Sequence, residues 1–106
     1  QTREVLDQVD LLAFPTCAIP APRHEESEVE IGGTRVDVLS AVTRLTRFAN
    51  LTGFPALSIP CGQSDDGLPI GLQLMGRSLE EHTVLKVASA YEQATEWHRM
   101  QPSISA

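Results

Sequence analysis

The sequence predicts an α/β protein, with about three helices packed on a small mixed sheet of about three strands. Three observations carry that expectation. Residues 3–14 run from a helical spacing (Val5, Leu6, Val9) straight into a short apolar stretch; Ile70, Leu72 and Leu74 alternate with Gly71, Gln73 and Met75; and a long amphipathic stripe fills 84–97. At 106 residues the chain holds one domain at most. Its 42% hydrophobic and 21% charged residues are those of an ordinary globular chain, and no run reaches the ~18 apolar residues of a membrane span.

Taken in order, residues 3–9 read as the last turns of a helix, and residues 10–14 as a buried strand stopped by Pro15. From 15 to about 36 lies a long surface loop, marked by Pro15, Pro20 and Pro22, the acidic cluster Glu25, Glu26, Glu28 and Glu30, and Gly32-Gly33. Val38, Leu39, Val42, Leu45, Phe48 and Ala49 then share one helical face. Thr34 with Asp37 three residues on resembles a capping box at the start of that helix, and Gly53 followed by Pro55 supplies its stop.

Residues 56–60 form a short apolar strand, joined to the alternating strand by a turn built on Asp66-Gly67. The last helix is expected over 79–98, capped by Ser78 with Glu81 and carrying Val84, Leu85, Val87, Ala88, Tyr91, Ala94 and Trp97 on one stripe. Pro102 opens a tail after 101.

The chain opens inside a helical pattern and without Met, which suggests a piece of something longer. Fourteen acidic against eight basic side chains give a formal charge of −6, so nucleic acid is not an expected ligand. Two distant cysteines outside any Cys-x-x-Cys spacing, and no basic, apolar leader, fit a reduced cytoplasmic protein. His24, His82 and His98 lack the spacing of a helical metal site and read as solvated, so neither metal nor cofactor is expected. Cys61 has no base nearby; Cys17, after the Pro15-Thr16 bend, lies where α/β proteins build pockets. Asp65-Asp66 belongs to a turn, and no phosphate loop, dinucleotide fingerprint or Gly-x-Ser-x-Gly elbow is present. Residue chemistry alone gives no self-sufficient active site. Asn50-Leu51-Thr52, an acceptor pattern for glycosylation in secreted proteins, reads instead as a helix end.

Four blocks in fixed order, "VDLLAFPT", "RFANLTGFPALSIPCG", "DDGLPIGLQLMGR" and "LEEHTVLKVASAYEQATEWH", resemble the carboxyl-terminal portion of the amidase signature family over roughly residues 10–102. The resemblance implies a fragment, 1–106, of a larger mixed sheet covered by helices on both faces. It implies a parent that hydrolyses a carboxamide through a Ser nucleophile, a second Ser and a Lys base, none of which can be carried onto this chain. Its lysine, Lys86, falls in the last helix. What carries over is one wall of the pocket for a small-molecule amide: Ser40, Thr43 and Arg47 as substrate-facing positions. Glutamine-using members place an acidic residue where Thr43 stands, which argues against that branch. The expectation is therefore an amidase piece inactive by itself, self-associating through exposed edges; the alternative is an autonomous binding module that keeps the scaffold without the chemistry.

Overall fold

The computed structural model describes residues 1–103; the end of the expected tail, 104–106, lies outside the described residues. A short helix α1 (Thr2–Leu6) leads into strand β1 (Leu11–Pro15). Strands β2 (Glu28–Ile31) and β3 (Thr34–Asp37) form a separate hairpin, followed by helices α2 (Val38–Thr43) and α3 (Arg47–Thr52). Strands β4 (Ala56–Gln63) and β5 (Pro69–Gly76), helix α4 (Glu81–Ala94) and a 3-10 turn (Trp97–Arg99) complete the order.

The α/β class holds, and each strand pair described is antiparallel. The main sheet runs β1-β5-β4, so β5 is central and pairs Leu12 with Met75 on one side and Ala56 with Met75 on the other. Prolines fall where a missing N–H is tolerated: Pro15 and Pro60 on outer strands, Pro69 at the start of β5. At Cys61 the β4 ladder slips by one residue between Pro60 and Gly62.

Alternation sorts the side chains of this sheet onto two faces. Leu57, Ile59, Leu72, Leu74 and Leu11 meet Val84, Ala88 and Tyr91 of α4, and this is the core. The opposite face, with Ser58, Gly71, Gln73 and Met75, lies toward the α2–α3 segment, where the Gln73 amide donates to the Leu45 carbonyl at 3.2 Å.

Several expectations are corrected. The loop at 15–36 ends early, because Glu28-Val29-Glu30-Ile31 alternates polar with apolar and Gly32-Gly33 takes left-handed backbone at both positions (φ 56° and 82°), a two-residue hairpin turn. Thr34 is therefore a strand residue, and Asp37 alone caps α2, its carboxylate accepting from the Ser40 N–H at 3.1 Å. The single helix divides at residues 44–46. Thr43 donates to the Leu39 carbonyl at 2.7 Å and Thr46 to that of Thr43 at 3.1 Å, and such back-bonding favours a bend. Gly53 closes α3 in the left-handed region (φ 75°) as expected.

Ser78 does not cap α4. The reversal after β5 puts Leu79 at φ 64° with its side chain in solvent, and the helix begins two residues beyond it. It ends at Ala94, where the Thr95 hydroxyl donates to the Tyr91 carbonyl at 2.9 Å. His98 is not solvated: it sits half-buried in the 3-10 turn, its Nδ1 enclosed without a hydrogen-bond partner. Among the described residues, no helix is long and apolar enough to cross a membrane.

Candidate functional site

The geometry that stands out is a hydroxyl couple across the central strand. Thr16, just past β1, and Ser58, in β4, approach with Oγ1 and Oγ 2.6 Å apart. The outer strands of a three-stranded sheet are about 9.5 Å apart, so two short side chains meet over the middle strand only if nothing stands between them. Gly71 supplies that gap. A Cβ there would lie 2.8 Å from the Ser58 oxygen and 2.9 Å from the Thr16 oxygen. The Thr16 N–H also donates to the Gly71 carbonyl at 3.0 Å, which continues the ladder past Pro15 and fixes the hydroxyl over the glycine.

This couple forms part of the wall of an open cavity of about 570 Å³, between the sheet end, the loop 16–21 and α2. The rest of its lining is apolar or backbone: Ala18, Ile19, Pro20, Ala21, Val42, Ile59, Pro60, Pro69 and Ile70. Cys17 also lines it, and the thiol reaches the Val42 carbonyl at 3.5 Å, which ties loop to helix. Both cysteines are free. A second hollow of about 300 Å³ shares Thr16 and Ser58 and extends past Gln73 to Thr46, Ala49 and Asn50.

Of the residues expected to face substrate, Thr43 and Arg47 are brought together, with the guanidinium donating to the Thr43 hydroxyl at 3.2 Å. Ser40 is half-buried on α2, one helical turn before Thr43, and Arg47 is exposed at the start of α3. None of the three lines the 570 Å³ cavity; their neighbour Val42 does. Sequence reasoning misses Thr16, Ser58 and Gly71 as site residues. A hydroxyl inside the apolar run 56–60 and a glycine in the alternating strand are visible in the sequence, but the register that joins them is not.

A cavity of this volume at the end of a sheet that carries helices on its faces has the dimensions of a small-molecule site in an α/β protein. The family model described as Amidase matches residues 1–85, and the chain belongs to that family. It is 43% identical over 102 residues to an amidase of Pseudomonas putida, covering 95% of this chain and 22% of that protein. It is 42% identical to a glutamyl-tRNA(Gln) amidotransferase component of a Synechococcus strain, over 95% of this chain and 18% of the relative. Among solved structures, an amidase superposes with a TM-score of 0.83 at 32% identity, covering 88% of this chain and 21% of that one. The 6-aminohexanoate cyclic dimer hydrolase gives 0.81 at 30%, covering 95% and 22%. The chain thus spans about a fifth of the length of the relatives it matches.

Proposed function

We propose that this chain is the carboxyl-terminal wall of an enzyme that hydrolyses a linear carboxamide, the reacting groups being supplied by a longer chain. The observation that carries the reading is the 43% identity to an amidase across 95% of these residues, within 22% of the relative's length. In the proposed reaction a serine oxygen attacks the carboxamide carbon and its proton passes through a second serine and a lysine to the departing amine. The C–N bond breaks, an ester to the enzyme remains, and water cleaves it to the free acid. No cofactor enters that sequence.

The described residues fit a supporting role. The Thr16–Ser58 couple hydrogen-bonds within itself rather than to a base, and Lys86 is exposed on α4, the helix on the other face of the sheet. Ser40, Thr43 and Arg47, on α2 and α3, are proposed to line the approach of the amide. A cytoplasmic location, and self-association of this chain through the open edges of β1 and β4, belong to the same proposal.

Assaying the purified 106-residue chain against acetamide, benzamide and glutamine tests it. The expected result is no release of ammonia above buffer, and turnover by this chain overturns the supporting role.

A further inference from the structure

We propose that the outer edge of β1 and the apolar hollow beside it are the seat of an extended, apolar segment of the longer chain, which adds a strand to the sheet at Leu11 and Ala13. This rests on the reading of the chain as one wall of a longer enzyme and names the surface by which the wall joins it.

The phase of the ladder identifies the backbone groups on offer. The Thr16 N–H donates to the Gly71 carbonyl, so the even-numbered residues of β1 turn their N–H and C=O toward β5. Leu11, Ala13 and Pro15 turn theirs outward, and no backbone bond beyond the sheet takes up Leu11 or Ala13 among the described residues. Pro15 has no N–H, so the free ladder ends on its carbonyl. β4 is the poorer edge: Pro60 faces outward by the same phase, the strand slips at Cys61, and the 3-10 turn packs against it.

Beside the β1 edge, on the face away from α4, Val5, Leu12, Phe14, Leu45, Phe48 and Met75 line a hollow of about 310 Å³ that has no charged side chain in its wall. Val5 and Phe48 are 47% and 48% exposed. A strand paired with Leu11 and Ala13 projects every second side chain onto that face, and apolar ones would fill the hollow.

A longer chain fits this seat better than a second copy does. The chain spans about a fifth of the length of its relatives, so most of such an enzyme lies outside it. Two copies joined edge to edge bring hollow against hollow, which fills neither, and each carries a formal charge of −6.

The test compares this chain, diluted until monomeric, with a hybrid in which it replaces the matched segment of the Pseudomonas putida amidase. Amide exchange at Leu11 and Ala13 should be about a hundredfold slower in the hybrid, with Leu12 and Phe14 protected in both. Co-expression of this chain with the shortened amidase repeats the comparison without the fusion. Phe48→Asp, in the first turn of α3 where a carboxylate is tolerated, should lower the melting temperature of the hybrid more than that of the chain alone. Leu11 and Ala13 amides that stay fast in the hybrid overturn the proposal, as does an equal loss from Phe48→Asp in both proteins. So does exchange that slows only as the hybrid is concentrated, which would give the surface to a second copy. A hybrid that protects these amides but hydrolyses neither acetamide nor benzamide would instead count against the amidase reading and leave the seat standing.

Discussion

Arg77 Nε donates to the Leu6 carbonyl oxygen at 2.8 Å, joining positions 71 apart in the chain. The same guanidinium donates through Nη2 to the Val9 carbonyl at 2.7 Å and pairs with Glu80 at 3.3 Å. One side chain thus clamps the end of α1 to the start of the α4 segment, and Leu6 beneath it is 1% exposed. Arg77→Ala should cost about 2 kcal/mol in urea denaturation, since two charge-assisted bonds to backbone are lost from a partly exposed site. Arg77→Lys should recover less than half, because an ammonium cannot reproduce the planar fork. An Ala variant as stable as the parent would mean that the Arg77 clamp adds nothing to the fold.

Gly76 presses on the core. A Cβ there would stand 2.7 Å from the Val84 Cγ2, a residue 3% exposed in the α4 cluster. Gly76→Ala should therefore destabilise by about 1–3 kcal/mol through overpacking, and Val84→Ala by a similar amount through the cavity it leaves. The double variant should cost less than the sum, as the new methyl enters the space vacated by valine. Additive losses in a thermal-melt cycle would show that the clash is relieved elsewhere.

The start of α2 discriminates two capping residues. Asp37→Ala should cost about 1 kcal/mol, the worth of a side-chain cap on an orphan helix N–H. Thr34→Ala should be nearly neutral, because Thr34 lies in β3, paired with Ile31. The opposite ranking in denaturation midpoints would restore the capping box that the sequence suggests.

That example shows where sequence reading reaches and where it stops. Stripes long enough to be periodic, such as Val84 to Tyr91, and backbone signals such as Gly53 or Asp66-Gly67, act locally and are legible. The hairpin at 28–37 is hidden by composition: four glutamates suggest a solvated loop, although the Glu-Val-Glu-Ile alternation and Gly32-Gly33 are in plain view. Ser78 and Glu81 have the spacing of a cap, but the turn out of β5 uses Leu79 in a left-handed conformation, a tertiary demand that propensity does not encode. The Thr16–Ser58 couple depends on which strand lies between β1 and β4. Residues 42 apart meet only because β5 is central and carries glycine at 71, and strand order leaves no local trace.

Gln73 illustrates the same dependence and gives the last prediction. It alternates with apolar residues as a solvent-facing position would, yet it is 3% exposed and donates its amide to the Leu45 carbonyl, which holds the α2–α3 segment on the sheet. Gln73→Leu keeps the bulk but leaves that carbonyl without its donor, a loss of about 1–3 kcal/mol. Gln73→Glu should be worse at neutral pH, since a buried carboxylate facing a carbonyl oxygen repels it and has no donor. Both burial and the facing oxygen raise the folded-state pKa of such a glutamate above its unfolded value. Its protonated form can donate to Leu45, so its stability is present in acid and is lost as pH rises through the folded pKa. Denaturation midpoints of Gln73→Glu and the parent chain should converge as pH falls and separate as it rises; a gap independent of pH would show that the Gln73–Leu45 bond does not hold this face closed.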